Sequence, residues 1–227
     1  MPARTRRSDR RTDALSRERI VEAAVELLDA TGAGGLTFRA LTERLATGPG
    51  AIYWHVANKD ELLAAATEGV VGAVLAVEPD GSRSPREEIR AVALGLFEAV
   101  DAHSWLATQL AVQMARSPWG SVAPRIYERI GRQVRALGVP EASWFVATSA
   151  LVHYVFGAAS QNATNGRVPL PDSSRGEFMG RVATAWSELD PDEYSFTRAV
   201  ADQVRDHDDR EQFLAGVDFL LDGIMAR

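Results

Sequence analysis

Three consecutive side chains that can stack or hydrogen-bond, Tyr53, Trp54 and His55, lie in the segment LATGPGAIYWHV, residues 45–56. Ile52 and Val56 are four residues apart and share one face of a helix, which leaves the rings and the imidazole around the remaining surface. Side chains of these types contact phosphates and base edges, so the segment is a candidate nucleic-acid contact. In the alternative interpretation, the rings pack inside an ordinary helical hairpin.

Catalysis has little support in the residue types. The chain has no cysteine, which excludes disulfides and thiolate metal sites. Its histidines lie far apart without HExxH spacing, and we find no phosphate-binding glycine loop and no serine elbow. We therefore predict no catalytic residue, no metal site and no cofactor, and keep an α-helical enzyme as an alternative. The four histidines are His55, His103, His153 and His207.

Three short helices are predicted within the first 56 residues. Ser16 is placed to cap the first, and Gly32 to end it. Thr37 is placed to cap the second, and the Gly48-Pro49-Gly50 break separates the second from the third. A tight turn between two short helices is the helix-turn-helix layout, in which the second helix of the pair enters the DNA major groove. Its apolar seam consists of Leu41, Leu45, Ile52 and Val56.

Helical patterns continue to the end of the chain. Asn58 and Ser84 open two further helices, an apolar helix runs from Pro140 to Gln161, and a short one covers about 177–189. No segment alternates like a strand. We predict an all-α fold: an N-terminal three-helix helix-turn-helix domain followed by a larger C-terminal helical bundle. The predicted division is a basic flexible arm over 1–13, the helix-turn-helix domain over 14–60, and a ligand-binding and dimerisation domain over 61–227.

The charge is unevenly distributed. The net charge is −6, yet residues 1–60 carry ten basic against eight acidic residues, and the first 13 carry five arginines against two aspartates. A basic arm on an acidic body fits a protein that touches a polyanion at one end only, although a solvated tail would have the same composition. The N-terminus has no apolar run after its basic residues, and no uncharged apolar run approaches membrane-spanning length. We expect a cytoplasmic protein that does not contact membranes.

The run LTFRALTERLATGPGAIYWHVANKDELL resembles the DNA-binding domain of the TetR family of bacterial transcription regulators. Its YWHV-x-NK-x-x-LL stretch is most similar to the tetracycline-repressor branch, and the resemblance is strong over about residues 16–65. The segments AHSWLATQLAVQ, PEASWFVATSALVHYVFGAAS and FLAGVDFLLDGI resemble the C-terminal ligand-binding domain of that branch more weakly. The resemblance implies a ligand-responsive transcriptional regulator, more readily a repressor than an activator. The alternative is an α-helical carrier or interaction module without DNA-binding activity.

The resemblance also implies residue roles at the DNA. Arg39 would reach a base, guanine by preference, through two hydrogen bonds, while Thr37 and Lys59 would hold phosphates. Tyr53 and His55 would contact backbone and bases. Trp54 would pack against neighbouring structure or lie along the backbone. The DNA-contact set is Thr37, Arg39, Pro49, Gly50, Ala51, Tyr53, Trp54, His55 and Lys59.

The start of the recognition helix departs from better-known members of the family. Residues 48–51 are glycine, proline, glycine and alanine, which supply few donors to base edges. Specificity would then depend on Arg39, apolar contact with thymine methyl groups, and DNA shape.

The resemblance further implies a homodimer on a palindromic operator, with an unidentified small-molecule effector tilting the helix that begins at Asn58. The helix 140–161 is apolar nearly all round, and the terminal helix carries Leu214 and Phe219 off its main stripe. Together they are candidates for a four-helix interface across a two-fold axis, although a central helix of a monomer would look similar. Polar and aromatic residues among the apolar helices give the candidate ligand set: Phe97, His103, Trp105, Gln109, Gln113, Met114, Trp144 and Thr148.

Overall fold

The computed structural model describes residues 15–77, 81–167 and 174–226. Twelve α-helices, α1–α12, account for most of these ranges, which contain no strand. The all-α prediction is confirmed. The arm predicted over 1–13 lies outside the described residues, and the proposed domain boundary at residue 60 falls in the first turn of α4.

The first three helices form a small N-terminal unit, which we call the head. They are α1 (Arg17–Gly35), α2 (Phe38–Leu45) and α3 (Pro49–Tyr53). The Ser16 hydroxyl accepts from the Arg19 amide at 3.3 Å, and the Thr37 hydroxyl accepts from the Ala40 amide at 3.1 Å, which confirms both predicted caps. Gly32 breaks the regular path of α1 with a φ of 66°, a conformation that glycine adopts without strain.

A left-handed residue turns the chain between α2 and α3. Ala46 has a φ of 48°, and the next amide, that of Thr47, donates to the Thr42 carbonyl at 3.1 Å. The turn folds α3 back so that Ile52 and Val56 are fully buried against Leu41 and α1. The apolar seam therefore fixes the orientation of α3, as the sequence predicts.

Helix α4 (Lys59–Leu75) leaves the head and enters the C-terminal unit, which we call the body. The Asn58 side chain accepts from the Glu61 amide at 2.9 Å, while the Glu61 carboxylate accepts from the Ala57 amide at 2.8 Å. These two bonds form a cap one residue wider than a capping box. Because α4 packs against α1 at one end and against α5, α6 and α7 beyond it, it is a rigid link between the two units.

The body is a bundle centred on α8. Ser84 opens α5 with the predicted capping box. The short helices α10 and α11 follow the predicted helix α9 without a signal that the sequence analysis detects. The elements are α5 (Pro85–Ala102), α6 (Leu106–Arg116), α7 (Val122–Ala136), a single 3₁₀ turn (Glu141–Ser143), α8 (Trp144–Asn165), α9 (Arg175–Ser187), α10 (Ser195–Ala199), α11 (Ala201–Arg205) and α12 (Asp209–Met225).

The expectation that no apolar run approaches membrane-spanning length is wrong for α8. The stretch Glu141–Asn165 is long and apolar enough to cross a membrane by length and composition, and about a third of it is buried within the chain. Its inward side packs against α5, α7 and α12, and the small side chains of Ala159 and Ala163 are among those buried. Burial in a helical bundle explains that part of its apolar character.

Candidate nucleic-acid interface and cavities

The two rings at the end of α3 project into solvent. Tyr53 is 52% exposed and Trp54 is 87% exposed, whereas Ile52 between the turn and the rings is fully buried. The interpretation in which these rings pack in a core is therefore wrong. With most of its surface exposed, Trp54 also does not pack closely against neighbouring parts of the chain.

The Phe38 ring packs against the Tyr53 ring. The two rings are stacked with centroids 4.4 Å apart and planes 10° from parallel. Phe38 is the first residue of α2 and is itself packed against the core. The stack fixes the Tyr53 ring relative to the start of α2, so the phenol projects from a rigid base.

The start of α2 presents two of the predicted contacts beside this stack. Thr37 uses its oxygen as the cap acceptor for Ala40, which leaves the hydroxyl hydrogen free to be donated to a phosphate. The Arg39 side chain is 89% exposed, and its Nε donates to Glu43 Oε1 at 2.9 Å. This ion pair raises the pKa of Arg39, first through the hydrogen bond and then through the charge of Glu43. An exposed pair of this kind is weak, so the guanidinium can exchange Glu43 for a base or phosphate.

Lys59 has a structural bond that the sequence analysis missed. Its Nζ donates to the Ala33 carbonyl at 2.6 Å and joins the start of α4 to the last turn of α1. An ammonium group has three donors, so two remain for a phosphate. The side chain therefore combines a fixed position with capacity for a further contact.

His55 is half-buried and faces the start of α1. The pKa of Glu18 lies below its usual value mainly because its own backbone amide donates to the carboxylate, then because of the Ser16 hydroxyl, with smaller effects from Arg17 and His55. The imidazole is thus close to a carboxylate as well as to the exposed rings.

The first residues of α3 are exposed but carry no polar side chain. Pro49, Gly50 and Ala51 are all accessible, and the N-cap residue Gly48 provides no side-chain hydrogen bond. This end of α3 can approach a groove closely because nothing large projects from it. Its contacts are limited to backbone groups and methyl-sized apolar surface.

A hydrogen-bonded clasp joins the head to the body. Asp29 on α1 accepts from Trp105 Nε1 at 2.8 Å and from His103 Nδ1 at 2.9 Å. A carboxylate only accepts, so the imidazole nitrogen must be the donor. Both partners belong to the predicted ligand set; they lie between α1 and the turn from α5 to α6, and His103 also lines a cleft there.

Two further members of the ligand set hold parts of the body together. Phe97 stacks on Phe213 with centroids 4.4 Å apart, which joins α5 to α12. Trp144 donates from Nε1 to the Val139 carbonyl at 2.7 Å and lies under the Arg135 guanidinium, 5.4 Å from the ring centroid.

The structure does not bring the eight ligand candidates into one cavity. Gln109 and Gln113 line a small cavity of about 270 Å³ between α4 and α6, where the buried Gln113 Nε2 has no hydrogen-bond partner among the described residues. Met114 packs on the core, and Thr148 is buried against Gly131. The sequence does not say how the helices are rotated relative to one another. Candidates on α5, α6 and α8 therefore face different cavities or the core.

Exposed apolar side chains remain on α8 and α12. Phe145 is 72% exposed and Phe219 is 76% exposed, while Leu220 and Ile224 are half-buried. The two helices contact each other, and the Tyr154 hydroxyl donates to the Phe213 carbonyl at 3.1 Å. Burial raises the pKa of Tyr154. Both helices therefore keep apolar side chains that the chain itself covers only in part, and the Phe145 ring also stacks on Tyr127 of α7 with centroids 6.1 Å apart.

Ion pairs hold α12 to α5. Asp218 accepts from Arg86 at 2.9 Å and also from Arg90, and Arg86 reaches Asp222 at 2.5 Å. Burial acts to raise the pKa of Asp218, but the hydrogen bonds and charges of the two arginines outweigh it and hold that pKa below its usual value. Within residues 15–77, 81–167 and 174–226, no three His, Asp or Glu side chains are grouped to hold a metal ion.

The sequence analysis did not predict the contacts of two residues that fix this geometry, Phe38 and Asp29. Phe38 follows a predicted N-cap at the start of α2. A contact between its ring and the aromatic residue of the next helix could therefore have been predicted. The contacts of Asp29 had no signal in the sequence, because its partners lie 74 and 76 residues away.

Comparison with known proteins agrees with this geometry. The family model for "Bacterial regulatory proteins, tetR family" matches residues 20–66, and the model for "Tetracyclin repressor-like, C-terminal domain" matches residues 78–227. An HTH-type transcriptional regulator of Saccharopolyspora erythraea is 33% identical over 157 residues, which cover 69% of this chain and 65% of that protein. The chain thus matches slightly under two thirds of that relative's length.

Solved structures share the whole architecture. The transcriptional regulator SCO7222, a TetR from Streptomyces coelicolor, is 64% identical with a TM-score of 0.87, over 94% of this chain and 99% of that one. ActR of Streptomyces coelicolor in complex with actinorhodin is 25% identical with a TM-score of 0.76, over 93% and 96% of the two chains. BioQ with its double-stranded DNA operator is 28% identical with a TM-score of 0.63, over 94% and 100%.

Proposed function

The chain belongs to the TetR family of bacterial regulatory proteins, and we propose that it is a transcriptional repressor released from its operator by a small molecule. The observation that carries this proposal is the outward-facing display of Tyr53, stacked on Phe38 at the end of α3, and of Trp54 directly after it, on the same unit as the exposed Arg39 of α2. A short helix held by a buried seam, with its polar and aromatic side chains outside, has the shape that a major groove accepts.

The individual DNA contacts follow from this display. Arg39 reads a base through its guanidinium, and Thr37 and Lys59 bind phosphates on either side of α3. Tyr53 and His55 contact the backbone and nearby bases, and Trp54 lies along the sugar-phosphate backbone. Pro49, Gly50 and Ala51 approach base edges without large side chains and contact thymine methyl groups.

Homodimerisation through α8 and α12 is part of the proposal. Only about a third of the apolar segment Glu141–Asn165 is buried within the chain, and Phe219 on α12 is 76% exposed. A second copy related by a two-fold axis would cover both helices with the same pair of helices. Two heads then face a palindromic operator with half-sites about 34–36 Å apart.

The effector acts by changing the tilt of the head. Helix α4 and the Asp29 clasp are the two described connections between the head and the body, so a change of tilt must alter both. ActR, a structural neighbour, is a TetR-family protein described in complex with actinorhodin. That likeness supports a small-molecule effector for this chain without identifying it. We place the protein in the cytoplasm, without membrane contact and without enzymatic activity.

Binding to the DNA upstream of the protein's own gene tests the proposal. Fluorescence anisotropy with the full chain should show saturable binding that weakens steeply as salt rises, because several phosphates are neutralised. Arg39→Ala should lose about 1–3 kcal/mol of binding free energy and relax specificity at one base pair.

Arg132→Ala is the matched control. Arg132 is also exposed and also pairs with a glutamate four residues away, Glu128, but it lies on α7 in the body. It should bind as the wild type does. Binding that ignores sequence, or an Arg39→Ala chain indistinguishable from Arg132→Ala, would favour the carrier or interaction module instead.

A further inference from the structure

A cleft of about 850 Å³ lies between the head and the body, and none of its lining comes from α8 or α12. We call it the head–body cleft. Its apolar walls are Val21 and Val25 of α1, Val70 and Val74 of α4, and Val92 of α5, and Glu22, Glu26 and Glu98 also line it. Small residues on α4 and α5 keep it open. Clefts of this size with apolar walls are typical small-molecule sites.

A buried carboxylate oxygen without a hydrogen bond faces the cleft. Glu88 is 4% exposed, and its Oε1 has no hydrogen-bond partner among the described residues. Its nearest positive charges are distant for hydrogen bonds: Arg83 lies 3.9 Å from Oε1 and Arg129 lies 3.6 Å from Oε2. A buried acceptor without a hydrogen bond lowers the stability of the free protein, and a donor that enters the cleft can supply the missing hydrogen bond.

The same end of the cleft has an unused donor. Arg129 also lines the cleft, and its Nε is buried without an acceptor among the described residues, while its Nη2 donates to the Val77 carbonyl at the end of α4. One acceptor and one donor that both lack partners match a neutral group that gives one hydrogen bond and takes another. A hydroxyl group does both.

We propose that the head–body cleft binds a mainly apolar molecule carrying a phenol or alcohol, whose hydroxyl donates to Glu88 and accepts from Arg129. The cleft runs along α5 from Glu88 to His103, which is bonded to Asp29, and part of its wall is α1 of the head. A ligand that extends from Glu88 along the cleft to the α1 wall contacts the head and the body at once. Its occupancy therefore biases the head–body tilt directly. The inference rests on the proposed function, since it names a site and a ligand class for the effector.

The test uses 2-naphthol as the probe and the full chain. Its fluorescence should report saturable binding, and 2-methoxynaphthalene, which accepts but cannot donate, should bind about tenfold more weakly or worse. Ala73→Phe places a ring in the cleft from α4 and should weaken 2-naphthol binding at least about tenfold; Ala91→Phe does so from α5 if the first variant fails to fold. Ala136→Phe, at an exposed position on α7, is the control and should bind as the wild type does.

Three results would overturn the inference: no binding of 2-naphthol, equal binding of the methyl ether, or unchanged binding in both cleft-filling variants that fold. The proposed function fails separately. A wild-type chain that binds its operator but not 2-naphthol contradicts only the cleft site, whereas a chain that binds 2-naphthol but no DNA contradicts the regulator.

Discussion

Replacing Asp29 with alanine removes the acceptor of the head–body clasp. The Trp105 side chain is the partner most affected, because the residue is only 5% exposed and its Nε1 donates to Asp29 at 2.8 Å. Without the carboxylate, the indole N–H is left buried with no acceptor in its place. His103 loses its bond to the same carboxylate, but it is partly exposed and can turn to water.

The magnitude follows from these two environments. A buried donor without an acceptor lowers the free energy of unfolding by about 1–3 kcal/mol, and the partly exposed histidine bond contributes less than about 1 kcal/mol. We expect Asp29→Ala to lower the free energy of unfolding by about 2–3 kcal/mol. Asp29→Asn keeps an amide oxygen that can accept from Trp105, so it should lose only about 1 kcal/mol.

Urea unfolding at a fixed chain concentration measures the effect. Asp202→Ala is the control, because its carboxylate is almost fully exposed and pairs only with Arg205 on the surface, so its stability should change by less than about 0.5 kcal/mol. If Asp29→Ala is as stable as Asp202→Ala, the clasp does not hold the head to the body. In operator-bound chains, Asp29→Ala should also weaken the response to effector, since one of the two described connections is gone.

Three further predictions concern other parts of the molecule. Ala46→Gly should stabilise the head by about 0.5–1 kcal/mol in thermal unfolding, because glycine relieves the left-handed strain at φ 48°; a loss of stability would contradict the turn geometry. Asp218 has a folded pKa below its unfolded pKa, so its stabilisation is complete above about pH 4 and is lost as the pH falls through the folded value. The stability gap between wild type and Asp218→Asn should therefore stay constant above about pH 5 and narrow as the pH falls below about 4; a gap that stays constant at low pH would refute the pairing with Arg90. If the chain dimerises through α8 and α12 as proposed, Phe219→Glu should convert that dimer into a 24.6 kDa monomer in sedimentation experiments, and a persistent dimer would place the interface elsewhere.

The helix starts were predictable because capping is local chemistry. Ser16, Thr37, Asn58 and Ser84 each accept from the amide three residues later, which their sequence patterns indicate. The helices α10 and α11 carry no comparable cap, and neither has a side-chain cap bond in the structure. Both helices pack against α9, and a single sequence does not reveal that packing.

The exposure of the rings on the head was predictable for a related reason. Ile52 and Val56 must face inward, so the intervening rings are left outside whatever the rest of the fold does. The cavities were not predictable in this way. Glu88 looks like an ordinary first-turn helix residue in the sequence, and only the packing of α7 against α5 brings Arg129 beside it.

Hydroxyl-radical footprinting of the full chain on the DNA upstream of its own gene tests the central claim most directly. Two heads of one dimer should protect two stretches on the same side of the duplex, with centres about 10–10.5 base pairs apart or a multiple of that spacing. A single protected stretch, continuous protection, or none would contradict a paired reading of the major groove by α3.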